Sequence, residues 1–211
     1  EHPERVRELH RRFIQAGADL PPDKKKRVEE IESELSQATQ KYSENVLDST
    51  NKWDLLIEDA ARLRGLPASA IEAARADAAA KGHGTPEKPV WRFTLKAPSM
   101  IPVMEHLENE DIRRQVWEGS CSIGRGGEHD NTGLVWKILR LRHEKAQIMG
   151  KAHFADHVLA HRMAKTGRSA LRFIEDLHER VREAFERETI ELQEFHADAS
   201  HQGVDLFQPW E

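Results

Sequence analysis

The chain has 211 residues, of which 33% are charged and 38% are apolar, and its formal net charge is -5 with His counted as neutral. This composition suits a folded chain rather than a long disordered one. The negative charge argues against a nucleic acid partner, whose phosphates reward an excess of Lys and Arg. No apolar run approaches the roughly 18 residues that a membrane span needs, so no membrane partner is expected.

The first third of the sequence predicts two helices. Residues 3–16 form a short amphipathic pattern, and a longer one of about 30 residues begins near the Pro21-Pro22 pair, since Pro is tolerated in a first helical turn. Apolar residues recur in this longer segment at steps of three and four, which lines one helix face. They are Val28, Ile31, Leu35, Ala38, Tyr42 and Val46.

The middle of the sequence interrupts the helical pattern twice. Residues 52–57 and 90–96 are short, aromatic and rich in β-forming residues, and they predict a small two-stranded element. An Ala-rich helix lies between them and ends at Gly82. Two shorter helices with a break near Glu108-Asn109 follow, and residues 124–133 are rich in turn-forming residues, so they predict a loop.

The last third is helical again. One apolar stripe runs from Leu134 to Met149 and stops at Gly150, a second helix covers residues 152–164, and a third, with apolar residues from Leu171 to Phe195, reaches about residue 200. The predicted class is all-α, with long packed antiparallel helices, a minor two-stranded β element, and residues 1–211 forming a single helical region.

The pair His143-Glu144 raises the question of a zinc hydrolase. An HExxH helix needs a second His four residues after the first, so that two imidazoles reach one metal while the Glu polarises a bound water. Gln147 occupies that position here, and after His178 it is occupied by Arg182. The 211 residues contain no HExxH, so the sequence predicts no catalytic residue and no zinc site.

A second histidine pattern consists of His153, His157 and His161, which are spaced by four and share one face of a predicted helix. The apolar residues of this segment centre roughly opposite, so the histidines are expected to face water or a partner. A solvated face is the favoured interpretation. An adventitious metal at these three residues is the alternative.

Several blocks of the sequence together resemble a known family. They include "NVLD" (45–48), "TLKAPSMIPVM" (94–104), "DNTG" (130–133), "LRHEKAQIMG" (141–150) and "LFQPWE" (206–211), in the family's order and at about its spacing. On these blocks the chain resembles the thimet oligopeptidase / oligopeptidase A family of zinc metallopeptidases, over nearly its whole length.

The resemblance implies a helical piece from the non-catalytic, N-terminal half of a longer enzyme, whose zinc domain is absent here. The parent would hydrolyse short peptides with zinc, and this piece would form a wall of the substrate channel and be inactive alone. Both chain ends are expected to be cut. The single cysteine, Cys121, and the family suggest a cytoplasmic location.

Two further expectations concern partners. A channel wall separated from the rest of its enzyme should expose apolar surface, which predicts self-association of the piece. The alternative to the peptidase interpretation is a helical scaffold, or a module that binds peptides or proteins, without any catalytic half.

Overall fold

The computed structural model describes residues 3–200 and 208–210. The described part of the chain contains eight α-helices and one two-stranded antiparallel sheet. The predicted all-α class with a minor β element is therefore confirmed. Of the "LFQPWE" block, only Gln208–Trp210 lies within the described residues.

The helices and strands follow in a simple order. They are α1 (Pro3–Gln15), α2 (Pro22–Lys52), β1 (Asp54–Ile57), α3 (Ala68–Ala80), β2 (Trp91–Thr94), α4 (Ala97–His106), α5 (Glu110–Cys121), α6 (Thr132–Ile148), α7 (Phe154–Leu159) and α8 (Gly167–Ser200). The sheet pairs Asp54 with Thr94 and Ile57 with Trp91. The predicted strand pair, the long second helix and the break between α4 and α5 are confirmed.

The chain divides into two compact units. The first comprises the residues up to Lys41 together with Gly133–Phe195, and the second comprises Tyr42–Thr132 with the residues from His196 onward. The helices α2 and α8 each contribute residues to both units. Sequence periodicity runs unbroken through both helices, so it carries no sign of this division.

The second unit contains the main hydrophobic core. It forms where α3 and α4 pack against β2, which is buried at all four residues, and where α5 packs against α4. The core residues are Ile57, Leu63, Leu66, Ala74, Trp91, Phe93, Leu95, Val103, Leu107, Ile112 and Val116.

Close backbone approaches fix the loops around this core. Gly65 has a φ of +92°, and a Cβ there would lie 2.2 Å from the carbonyl oxygen of His106. The adjacent Arg64 carbonyl accepts a hydrogen bond from the amide of Glu108. Only glycine fits both the left-handed conformation and the contact.

The first unit is built on antiparallel packing of α2 and α6. Arg27 near the start of α2 pairs with Glu144 near the end of α6, while Glu34, two turns further along α2, pairs with Lys137 on α6. The buried apolar residues of this unit are few: Val28, Ile31, Ala38, Ile138, Leu141 and Ala146. The apolar residues of α8 are mostly exposed.

Candidate functional site

The histidines at 153, 157 and 161, which the sequence predicts on one helix face, lie in three different local structures. The helix α7 ends at Leu159 instead of continuing to Ala164, so the prediction of a helix over 152–164 is wrong at its C-terminal end. His153 is the N-cap residue in an extended conformation, His157 lies inside the helix, and His161 lies beyond its end. Lys165 then adopts a φ of +63° before α8 begins. The three histidines therefore do not form one helical face.

Their exposure also differs from the prediction. His153 and His161 are exposed, as expected for a solvated surface. His157 is only 6% exposed, so the prediction that it faces water is wrong. Spacing alone does not show which of the three histidines is covered. The neighbouring helix α1 decides this, because Gln15 of α1 donates a hydrogen bond to the carbonyl oxygen of His157 at 2.8 Å.

The surroundings of His157 disfavour a charged imidazole. Burial is the larger cause that lowers the pKa of His157, and the positive charge of Lys145 lowers it further. Asp156, the nearest carboxylate in sequence, accepts a hydrogen bond from the amide of Gly167 at 2.8 Å. Within residues 3–200 and 208–210, no group of three or more His, Cys, Asp and Glu side chains is placed to hold a metal ion.

The two residues of the His143-Glu144 pair have different surroundings: His143 faces solvent, and Glu144 forms an ion pair. Both carboxylate oxygens of Glu144 accept hydrogen bonds from Arg27, at 2.6 and 2.9 Å. These bonds lower the pKa of Glu144. His143 is exposed on the polar side of α6, as the sequence predicts. Glu144 therefore connects α2 to α6, and its carboxylate is already occupied by a cation.

The pair His178-Glu179 lies on the exposed surface of α8. Arg182, at the position that a second zinc-binding His would occupy, donates to Glu179 at 2.9 Å. Neither His-Glu pair therefore faces a second imidazole of its own helix.

A cavity of about 410 Å³ lies in the second unit. Arg92 of β2 is buried in its wall and donates hydrogen bonds to Asp54 at 2.7 Å and to Asp77 at 2.5 Å. Sequence reasoning missed this arrangement. Its signal in the sequence is the charged Arg92 between Trp91 and Phe93 in a predicted strand, since a charged residue between two apolar ones needs a partner when it is buried.

Two of the sequence blocks that carry the family resemblance contact each other. Asn45 of "NVLD" donates to the side chain of Asn131 of "DNTG" at 2.9 Å, and both are buried. The side-chain amide of Asn131 in turn donates to the carbonyl oxygen of Tyr42, and its backbone amide donates to the carbonyl oxygen of Gly124. The residues of these two blocks therefore help to hold the second unit together, because each supplies hydrogen-bond partners that buried polar groups of the other need.

Comparison with known proteins gives consistent matches. A sequence profile described as peptidase family M3 matches residues 103–211. Oligopeptidase A of Salmonella typhimurium is 38% identical over 206 residues, which cover 95% of this chain and 29% of that protein. A probable cytosolic oligopeptidase A of Arabidopsis thaliana is 35% identical over 90% of this chain and 27% of its own length. Dipeptidyl carboxypeptidase of Escherichia coli is 26% identical over 98% of this chain and 30% of its own.

These matches define the class as peptidases. The chain belongs to peptidase family M3, because the profile covers more than half of its residues. The resemblance to the oligopeptidase A family is thereby confirmed. The chain spans 29% of the length of the oligopeptidase A of Salmonella typhimurium. No helix in the described ranges combines the length and apolar character that crossing a membrane requires.

Proposed function

We propose that this chain is part of a zinc-dependent oligopeptidase that hydrolyses short peptides, and that it forms one wall of the substrate channel. The observation that carries the proposal is the 38% identity to oligopeptidase A across 95% of the chain. In this role the chain selects substrates sterically and supplies no reacting group.

The residues that the structure describes do not fit a catalytic zinc. Glu144 is held by Arg27 in a two-bond ion pair, and the imidazole of His157 is buried near the ammonium of Lys145. A catalytic zinc needs three protein ligands and an open position for water. The proposal therefore assigns the zinc ligands to polypeptide other than these residues, and the 211-residue chain is inactive alone.

The exposed apolar face of α8 supports the role as a wall. Its large apolar side chains are about half exposed or more in the described structure. Most of them lie on one side of the helix, a pattern typical of a helix that is covered on that side, whereas Ile190 lies on the other side. The exposed apolar side chains of α8 are Leu171, Phe173, Ile174, Leu177, Val181, Phe185, Ile190, Leu192 and Phe195.

A quenched fluorogenic peptide assay tests the proposal. The purified 211-residue chain should show no turnover with or without added zinc. His143→Ala serves as the diagnostic variant and His178→Ala as its matched control on the other His-Glu pair. Zinc-dependent turnover that His143→Ala abolishes and His178→Ala preserves would overturn the proposal. Reading the coding sequence beyond codon 211 gives a second test, because an HExxH with a downstream Glu supports the peptidase parent.

We also propose that the isolated chain self-associates through α8, since exposed apolar surfaces of this kind find partners. Light scattering should show self-association of the chain, with the measured mass of a dimer. Phe185→Gln should shift the mass toward the monomer, while Glu183→Gln, on the opposite side of the same turn, should leave it unchanged. A monodisperse monomer at high concentration contradicts this proposal.

The proposed location is the cytoplasm. The single cysteine cannot form an internal disulfide, which suits a reducing compartment. The name of the probable cytosolic relative from Arabidopsis thaliana supports the same compartment.

A further inference from the structure

A second cavity, of about 330 Å³, lies in the first compact unit and is lined by residues of α1, α6 and α7 and of the turn after α7. Its lining is rich in groups that carry or can take up positive charge and includes one carboxylate, that of Glu8. The basic groups are Arg12, Lys145, His157, His161 and Arg162. The proposed peptidase role uses none of them.

Part of this positive charge is already neutralised. Arg12 donates to Glu8 at 3.2 Å, and Lys145 pairs with Glu32 on α2. Among the residues that the structure describes, no carboxylate lies within ion-pair distance of Arg162. With neutral histidines, the three fixed cations exceed the two carboxylates by one charge, so the cavity has a net attraction for an anion.

The buried imidazole of His157 adds a proton-dependent donor. Lys145, Lys151 and His161 all act on it as positive neighbours, and Glu32 alone acts in the opposite direction. Burial, which is the largest cause, and these positive neighbours lower the pKa of His157. An anion bound beside Lys145, His161 and Arg162 would offset the repulsion from Lys145 and His161 and allow His157 to bind a proton and donate a hydrogen bond.

We propose that this cavity binds a small oxyanion, either a phosphate or a peptide carboxylate, through Arg162, Lys145 and the two histidines His157 and His161. Both ligands present the same chemistry, namely negatively charged oxygens that accept charge-assisted hydrogen bonds. The proposal does not depend on peptidase activity, since it concerns only side chains present in this chain.

Nuclear magnetic resonance of the histidine ring protons in the 211-residue chain tests the proposal. One arm adds inorganic phosphate, and the other adds a short acetylated peptide with a free C-terminal carboxylate. The same peptide with a C-terminal amide is the control, and sodium chloride keeps the ionic strength constant. A saturable shift of the His157 signal is expected, and the arm that produces it identifies the source of the oxyanion.

The pH dependence sharpens the test. The peptide carboxylate keeps its charge between about pH 6 and about pH 8, because its pKa lies near 3.5. Tighter binding of the peptide at the lower pH is expected, since a bound anion and a proton on His157 stabilise each other.

Exposed arginines provide matched variants that leave the buried residues intact. Arg162→Gln should weaken binding roughly tenfold, the effect of losing one charge-assisted hydrogen bond. Arg168→Gln, on α8 outside the cavity, should leave binding unchanged. Equal affinities of the two variants would overturn the proposal. It would also be overturned if the His157 signal failed to respond to phosphate and responded equally to the amide and carboxylate peptides.

Discussion

The two compact units are stabilised in different ways. The second unit buries eleven apolar residues in one cluster around its small sheet. In the first unit the helices α2 and α6 are connected by ion pairs between partly exposed side chains, and the long helix α8 leaves its apolar residues exposed. Amphipathic helices therefore have buried apolar faces in the second unit, whereas the amphipathic helix α8 of the first unit has an exposed one.

The difference shows that helical periodicity and burial are separate properties. Burial of a large apolar side chain is worth roughly 1.5–3 kcal/mol, whereas an exposed ion pair contributes well under that amount. The second unit therefore has the internal contacts of an independent core. The first unit has an uncovered apolar face, which is consistent with its proposed position as a wall against other polypeptide.

The largest expected effect comes from one substitution made in both units. Phe93→Ala should lower the free energy of unfolding by about 3–5 kcal/mol, because Phe93 is 2% exposed in the core of the second unit. Phe173→Ala on α8 should change it by less than about 0.5 kcal/mol, since Phe173 is 68% exposed. Urea denaturation measures both values. Equal losses would show that α8 is covered in solution and would remove the contrast.

Glycine substitutions give the next largest effect. Gly65→Ala in the second unit should cost about 2–4 kcal/mol, because a left-handed conformation is combined with a backbone contact. Gly150 in the first unit has a φ of +69°, but a Cβ there would have no atom of the described residues within 4 Å beyond its chain neighbours. Gly150→Ala should therefore cost only the conformational penalty of about 1–2 kcal/mol. Urea denaturation gives the loss of unfolding free energy for each variant, and the difference between the two losses measures the cost of the backbone contact at Gly65. A larger loss at Gly150 would contradict this prediction.

The third prediction concerns acid stability of the first unit. The pKa of His157 is lowered in the folded chain, so its stabilising contribution is complete above the ordinary histidine pKa near 6.5 and is lost as pH falls through the lowered value. The unfolded chain takes up a proton that the buried imidazole does not. His157→Phe should therefore reduce the loss of unfolding free energy in acid, measured by urea denaturation over a series of pH values.

The control for this prediction is His143→Phe. His143 is exposed on α6, so its replacement should leave the pH dependence of the unfolding free energy unchanged. Identical pH profiles for the two variants would mean that His157 is not the residue responsible.

The smallest effect is expected at the ion pair of the first unit. Removing the two-bond contact with Arg27→Gln should destabilise the chain less than any core substitution above, because both partners are partly exposed. The loss should shrink as salt is added. A double-mutant cycle with Glu144→Gln isolates the pair, and a coupling that does not respond to salt would contradict the electrostatic interpretation.

Element order was predictable because local spacing determines it. Val28, Ile31 and Ala38 of the predicted α2 stripe are buried, and the two strands pair as expected. Prediction was wrong where contacts with distant residues decide the outcome. Gln15 lies 142 residues before His157 and covers it, and no spacing within 152–164 contains that information.

The two cavities were also unpredictable from local spacing, because residues far apart in the sequence form them. The histidines at 153, 157 and 161 were singled out by spacing, but only the fold placed Arg12 and Lys145 beside two of them. The Arg92 cavity was missed altogether, since Asp54 and Asp77 are 38 and 15 residues away along the chain.

The sequence by itself determined the all-α class, the order of the helices and strands, the absence of HExxH from these 211 residues, and the family. Each of these depends on residue identity or on spacing over a few turns. The tertiary structure alone decided which apolar faces are covered, which histidine is buried, and which carboxylates are held by cations. Those properties arise from packing between segments far apart in the chain, because desolvation and charge pairing depend on distance in space and not on distance in sequence.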